Sequence, residues 1–266
     1  MESKKYALIT GATSGIGYEL AKLFAADGWN LVIVARGQKA LDDVSAELMQ
    51  QYAVDVKSIA KDLFEAENAE DVYQEVKSIG IDIEVLVNDA GQGLYGEFVN
   101  TNINRELSII RLNIDSLVIL TKYFLKDMVQ RGSGKILNVA SVASKVPGPL
   151  QSVYHGTKAF VHSFTEAIRS EVKDKGIVVT SLLPGATDTD FFNKADMLDA
   201  KNVQEGKLAR PADVAKDGYK ALMDGDDMVV SGFNNKMQVA MSNFLPDEKV
   251  ADRVHQQQAP TSDSKK

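Results

Sequence analysis

Tyr6-Ala7-Leu8-Ile9-Thr10-Gly11-Ala12-Thr13-Ser14-Gly15-Ile16-Gly17 is the stretch from which the fold is read. Residues 6–10 are apolar without alternation, as a parallel strand covered on both faces is. Glycines follow at 11, 15 and 17, and a helical pattern begins at once. Leu20, Leu23 and Phe24 share a face up to Asp27, where Gly28 ends the helix. Glycine in a strand-to-helix turn lets the chain bend sharply and lets a pyrophosphate approach the N–H groups of the helix N-terminus. The spacing is G-x-x-x-G-x-G, not the usual dinucleotide pattern G-x-G-x-x-G. A plain turn needs one glycine, or two; three in this first loop argue for phosphate binding.

The same alternation continues down the chain. Strand-like runs at 31–35, 55–60, 85–88, 135–139, 177–183 and 228–230 are separated by helical patterns at 39–52, 66–78, 105–131, 153–175 and 210–223. Pro211 suits the first turn of the last of these helices. Strands and helices in strict alternation, with no compositional break, predict one α/β domain over residues 1–250. Its expected core is a doubly wound parallel sheet of about seven strands flanked by helices. Residues 188–204, which include Phe191, Phe192, Met197 and Leu198, read as a substrate lid. Residues 236–245, apolar at Met237, Val239, Ala240, Met241 and Phe244, read as a further contact or a cover for the pocket. Residues 251–266 are polar and predict a disordered tail.

Composition narrows the function classes. A chain of 266 residues with 44% hydrophobic and 25% charged residues can bury a substantial core. Its net charge of −7 argues against a nucleic-acid partner, which needs clustered Lys and Arg. No apolar run approaches the ~20 residues of a membrane span, and the first strand is too short for a signal-peptide core. With no cysteine there is no disulfide, thiolate nucleophile or Cys-bound zinc. His155, His162 and His255 form no metal-ligand cluster, so no metal is expected, and a cytoplasmic location fits the whole.

The candidate functional residues fall at strand ends. Arg36, at the end of the second strand, stands where an acid would hold ribose hydroxyls; its fork of donors suits a phosphate instead. Asp62 and Leu63 follow the third strand, where Asp62 either accepts from an adenine amino group or caps a helix. Asn88-Asp89-Ala90-Gly91 ends the fourth strand with small residues for close passage, and Asn88 ties neighbouring backbones or makes a plain turn. Ser141 lies just past the fifth strand, and Tyr154 and Lys158 sit one helical turn apart on the next helix. An ammonium near a phenol favours phenolate and lowers the Tyr pKa from ~10. All of these lie at the carboxyl edge of the sheet, where open α/β folds bind ligands.

Taken together, the motifs closely resemble those of the short-chain dehydrogenase/reductase family, in its shorter "classical" branch. The resemblance rests on the T-G-x-x-x-G-x-G loop at 10–17, N-x-A-G at 88–91, Asn113 and Ser141. It is completed by Y-x-x-x-K at Tyr154 and Lys158, and by P-G-x-x-x-T at Pro184, Gly185 and Thr189, and it covers residues 5–235. It implies an NADP(H)-dependent oxidoreductase, preferring NADP(H) to NAD(H), that interconverts a ketone or aldehyde and an alcohol. Tyr154 would exchange the proton on the substrate oxygen and Ser141 would hold that oxygen. Lys158 would lower the Tyr154 pKa and hold the ribose, with Asn113 supporting Lys158. Gly11, Thr13, Ser14, Gly15, Ile16, Gly17, Arg36, Asp62, Leu63, Asn88, Ala90, Gly91, Pro184, Gly185, Thr187 and Thr189 would hold the cofactor with Tyr154 and Lys158. A homodimer or homotetramer paired through the helices at 105–131 and 153–175 is the family expectation.

Two positions depart from the pattern. Asp89 replaces the second Asn of N-N-A-G, which touches a detail of sheet bracing. Gly156, between Tyr154 and Lys158, costs about 1 kcal/mol of helix stability and is expected to leave room beside the cofactor. The competing readings are a catalytically silent NADP-binding sensor or scaffold, disfavoured by the complete tetrad, and an epimerase or dehydratase of the longer branch, whose glycine spacing and larger C-terminal domain are missing.

Overall fold

The computed structural model describes residues 5–242 and 245–261. Seven parallel strands form one sheet: β1 (Tyr6–Thr10), β2 (Asn30–Ala35), β3 (Val56–Ala60), β4 (Ile83–Asn88), β5 (Gly134–Val139), β6 (Ile177–Leu183) and β7 (Met228–Val230). Their order is β3-β2-β1-β4-β5-β6-β7. The winding therefore reverses between β1 and β4, and a crevice opens at their carboxyl ends.

Alternate residues of each strand enter opposite cores, as the two-residue period requires. Ile9, Leu31, Ile33 and Val87 pack beneath α1 (Gly15–Ala26), α2 (Gln38–Tyr52) and α9 (Pro211–Asp224). Leu8, Val32, Leu86 and Ile136 face α3 (Glu67–Ser78), α5 (Ser116–Arg131) and α6 (Ser152–Val172). Burial on both faces explains the continuous apolar runs seen in the sequence.

Three expectations change. The segment at 105–131 is not one regular helix: α4 (Ile103–Ile110) passes through a π-helical turn, Arg111–Asp115, into α5. Its apolar residues Ile109, Leu112, Leu117 and Leu120 belong to the core of the chain itself. The tail expected from residue 251 is helical through Gln258, because α11 (Asp247–Gln258) buries Val250, Val254 and Gln258 at four-residue intervals. Residues 262–266 and Phe244 lie outside the described residues. Gly156 is exposed, with nothing within 4 Å of a β-carbon built on it, so it leaves no room beside a ligand.

The segment at 188–204 contains two one-turn helices, α7 (Phe191–Lys194) and α8 (Lys201–Gln204). The chain beyond α11 returns to it. Ala200 pairs with Pro260 in an antiparallel bridge, Lys201 N–H donates to Ala259 at 3.0 Å, and Thr261 N–H donates to Asp199 at 3.0 Å. Between β7 and α11 lies α10 (Phe233–Ser242). No helix among the described residues is long and apolar enough to cross a membrane.

Candidate active site

A cavity of about 1290 Å³ opens at the carboxyl edge of the sheet. Its floor is set by the glycine turn. Gly11 has φ +69°, and a β-carbon there would meet Asp89 Oδ2 at 3.0 Å and the Ala90 backbone at 3.2 Å. At Gly17 a β-carbon would stand 2.5 Å from Asp89 Oδ2 and 2.6 Å from the Gly11 carbonyl oxygen. The absent side chains let α1 begin directly against the β4 end. Ser14 precedes α1 without capping it through its side chain, so the first-turn N–H groups keep their capacity for an anion.

Most of the residues named from sequence border this cavity: Gly11, Thr13, Ser14, Gly15 and Ile16 of the turn; Arg36, Asp62 and Leu63; Ala90 and Gly91; Ser141, Tyr154 and Lys158; and Pro184, Gly185, Thr187 and Thr189. Arg36 lies over the Phe64 ring at 5.2 Å. Asp62 is no helix cap: its Oδ1 accepts from Phe64 N–H at 3.1 Å, and α3 begins only at Glu67.

Three named residues stand behind the wall instead. Gly17 provides the close approach just described. Asn88 is buried, and its Nδ2 donates to Thr121 Oγ1 at 3.0 Å and Asn138 Oδ1 at 2.8 Å, so it braces β4 against β5 and α5. Asn113 sits in the π-helical turn. Its Oδ1 accepts from Gln92 N–H at 3.0 Å, and its Nδ2 donates to the Gln92 carbonyl at 2.9 Å and to Thr157 Oγ1 at 2.9 Å.

Electrostatics revise one expectation. Burial pushes the Tyr154 phenol up to about 12, with a hydrogen bond from Ser141 acting the other way. Lys158 does not hold it low. The ammonium donates to the Val139 carbonyl at 2.7 Å and lies 5.9 Å from the Tyr154 ring centre. Burial also lowers Lys158 to about 8, opposed by the charge of Asp89. Asp89 in turn is raised to about 7 by burial, against the pull of Lys158 and a hydrogen bond from Gly17 N–H. Desolvation thus outweighs the mutual attraction of the two charges, and Asp89 is more than a sheet brace.

Gln151 borders the cavity from the loop after Ser141, and Gln238 from the segment at 236–245 expected to cover it. Sequence reading passed over His155, next to Tyr154, and Asn235 and Gln258, which come from α10 and α11. Gly185 admits Asn235, whose side chain would lie 2.3 Å from a β-carbon at that position. His155 is neutral, since burial lowers its pKa.

A parallel sheet with reversed winding and a glycine turn at its switch point defines a Rossmann-type domain. The family described as short chain dehydrogenase matches residues 5–198, and the chain belongs to that family. The very-long-chain 3-oxoacyl-CoA reductase of Bos taurus is 37% identical over 186 residues, covering 68% of this chain and 58% of the relative. The very-long-chain 3-oxoacyl-CoA reductase-B of Danio rerio is 39% identical over 189 residues, with the same coverage. The match therefore spans only 58% of the length of these curated relatives. Among solved structures, a short-chain dehydrogenase from Sphingobium yanoikuyae in complex with NADPH is similar at TM-score 0.81 and 28% identity, over 90% of this chain and 93% of that one. An alcohol dehydrogenase from Thermococcus sibiricus complexed with 5-hydroxy-NADP gives TM-score 0.75 and 26% identity, over 85% and 95% of the two chains.

Proposed function

We propose that the protein is an NADP(H)-dependent oxidoreductase that interconverts a ketone or aldehyde and an alcohol, with Tyr154 as the acid and base. The reading is carried by one observation: Ser141, Tyr154 and Lys158 border the same cavity as the glycine turn. The NADPH complex of the Sphingobium protein and the 5-hydroxy-NADP complex of the Thermococcus protein support the cofactor class.

The residues present suit a dinucleotide. Gly11, Thr13, Ser14, Gly15 and Ile16 would take the pyrophosphate, with Gly17 securing the turn from behind. Arg36 would take a ribose phosphate and Asp62 with Leu63 the adenine. Ala90, Gly91, Lys158, Pro184, Gly185, Thr187 and Thr189 would hold the nicotinamide end, and Asn88 and Asn113 would brace it. A β-carbon at Gly91 would lie 3.2 Å from Lys158 Nζ and 3.3 Å from Asn113 Oδ1, so that glycine keeps the cradle open. The nicotinamide supplies the hydride when bound.

The chain's own part is proton placement. Ser141 donates to the substrate oxygen and holds it beside the Tyr154 hydroxyl. A phenol raised to about 12 is protonated at neutral pH, so Tyr154 is placed to donate in the reducing direction. Oxidation needs the phenolate and rises with pH.

Carbonyl reduction is also what the names of the 3-oxoacyl-CoA reductases describe. A cytoplasmic homodimer or homotetramer completes the proposal. Ile103 and Leu107 on α4 and Phe160 on α6 are large apolar side chains exposed on the expected pairing helices.

The test is a panel of carbonyl compounds assayed with NADPH and with NADH. NADPH should be strongly preferred, and Arg36→Asp should move the preference towards NADH by at least about tenfold. An NADH preference in the wild type would overturn the Arg36 assignment. NADPH binding without turnover of any carbonyl would favour the silent sensor.

A further inference from the structure

Two cations stand side by side on the rim of the cavity. Ala35 pairs with Ala60 across β2 and β3, so Arg36 and Lys61 follow at neighbouring strand ends, and both border the cavity. They are held in different ways. Lys61 Nζ is engaged by Asp71 of α3 at 2.7 Å. Among the described residues the Arg36 guanidinium has no ion pair or hydrogen bond, and it lies over the Phe64 ring at 5.2 Å. Acids near it along the chain have other partners. Asp42 accepts from Gln38 Nε2 at 2.7 Å, Asp43 pairs with Lys39 at 3.0 Å, and the first turn of α2 carries no acid.

That difference matters for a phosphate. A guanidinium carries its five N–H donors in its own plane. A carboxylate partner occupies those donors, whereas a ring meets the cation through its π-face and leaves them free. An arginine loose in solvent samples many rotamers, and a ligand that fixes it loses affinity to that ordering. One already held over a ring has lost part of that freedom before the ligand arrives.

The ring is itself anchored. Phe64 packs, partly buried, against the core that faces α3, α5 and α6. Its turn is fixed by three hydrogen bonds. Asp62 Oδ1 accepts from Phe64 N–H at 3.1 Å, the Asp62 carbonyl from Asn68 Nδ2 at 2.8 Å, and the Leu63 carbonyl from Ser116 Oγ at 2.5 Å. Leu63 and Ser116 are both buried. The place of Phe64 is therefore set from behind, independently of Arg36.

We infer that Phe64 is a positioning residue for cofactor choice: it holds the Arg36 guanidinium at the rim with its donors free for the 2′-phosphate that distinguishes NADP(H) from NAD(H). The inference rests on the NADP(H) reading proposed above and adds the residue that makes Arg36 selective. Phe64 also borders the cavity beside Asp62 and Leu63, so contact with the adenine is the rival role. An adenine contact serves both dinucleotides equally; a hold on Arg36 serves only the one with the extra phosphate.

The two roles separate in binding measured by titration calorimetry, without turnover. Phe64→Leu keeps an apolar side chain and removes the π-face. It should weaken NADPH binding about two- to fivefold, the strength of an exposed cation–π contact, and leave NADH within about 1.5-fold. Adenosine 2′,5′-bisphosphate and adenosine 5′-monophosphate should repeat that split with no nicotinamide present. Phe64→Tyr, which keeps the ring, should bind both dinucleotides as the wild type does. In an Arg36→Leu background, Phe64→Leu should weaken NADPH no further, because no cation is left to place. Equal weakening of NADPH and NADH would make the ring an adenine platform and overturn the inference. So would an unchanged NADPH affinity, or losses that simply add in the Arg36→Leu background. Phe64→Met should give the same split if the leucine variant fails to fold. A wild type that binds the bisphosphate no tighter than the monophosphate would sink the Arg36 assignment itself, and this inference with it, before any Phe64 variant is compared.

Discussion

The two walls of the cavity are built on opposite plans. The wall made by the glycine turn and the ends of β1 and β4 is fixed by backbone, down to the 2.6 Å that a β-carbon at Gly17 would leave to the Gly11 carbonyl oxygen. The cover made by α7, α8, α10 and α11 is held by side chains, with a small separate cluster of Phe192, Ala195, Met197 and Ala200 buried around α7 and α8. Of α11 only Val250, Val254 and Gln258 are buried, and Leu198, Phe233, Met237 and Met241 are half or more exposed or nearly so. The first wall would face the part of a ligand that does not vary, the dinucleotide; the second would face the part that does. Backbone complementarity admits no adjustment, whereas a side-chain cover can be retuned one residue at a time.

Substitutions on each wall should separate these roles. The largest effect is expected where the walls meet. Tyr154→Phe should lower carbonyl reduction by about a thousandfold, within the range for loss of a general acid, and leave NADPH affinity within about twofold. A parallel loss of affinity would make Tyr154 a binding residue only. On the rigid wall, Gly17→Ala forces a methyl group into Asp89 and Gly11. It should cost about 1–3 kcal/mol, lower the melting temperature by several degrees and weaken NADPH binding. An unchanged melting curve would show that this wall yields after all.

On the cover, Val254→Asp places a carboxylate where Val254 is 6% exposed, and unseating α11 is the less costly response. The KM for the carbonyl substrate should rise about tenfold with NADPH affinity unchanged; equal losses of both would erase the distinction between walls. The smallest effect concerns Asp89. Its pKa is raised from 3.8 to about 7 in the fold, so its ionised form is disfavoured there and stability is lost as pH rises between those values. Asp89→Asn should therefore melt higher than wild type at pH 8, by roughly a few degrees. The gap should shrink as pH falls towards 4. A gap that is the same at both pH values would exclude ionisation as its cause.

The rigid wall was the part that could be read in the sequence. Continuous apolar strands and three closely spaced glycines are strong local signals, because burial on both faces and close backbone approach each demand particular residue types. The cover was legible only in outline, as a lid at 188–204 and an apolar segment at 236–245. Its helix α11 presents only a narrow stripe, Val250, Val254 and Gln258, and the last of these lies in a run of three glutamines that looks like solvated tail. The pairing of Tyr154 with Lys158 was visible as a spacing. The balance between attraction and desolvation was not, because it depends on how deeply both are buried and on where Lys158 Nζ is drawn. Asn88 and Asn113 were named from the motif, yet their place behind the wall emerges only from the neighbours they bond.

The π-helical turn at Arg111–Asp115 decides where this chain can change in length. Each residue of an α-helix advances the direction of its side chains by about 100°, so a residue added to or lost from α4 or α5 would turn everything beyond it by that angle and carry the buried Glu106 and Ile109 away from the surface they cover. A π turn takes in one residue more than an α turn would, so the extra residue is absorbed and the helices on either side keep their buried faces. Losing one residue there would close the turn to α geometry with α4 and α5 still facing as they do. The cost would fall on Asn113, which the wide turn carries to Gln92 and Thr157.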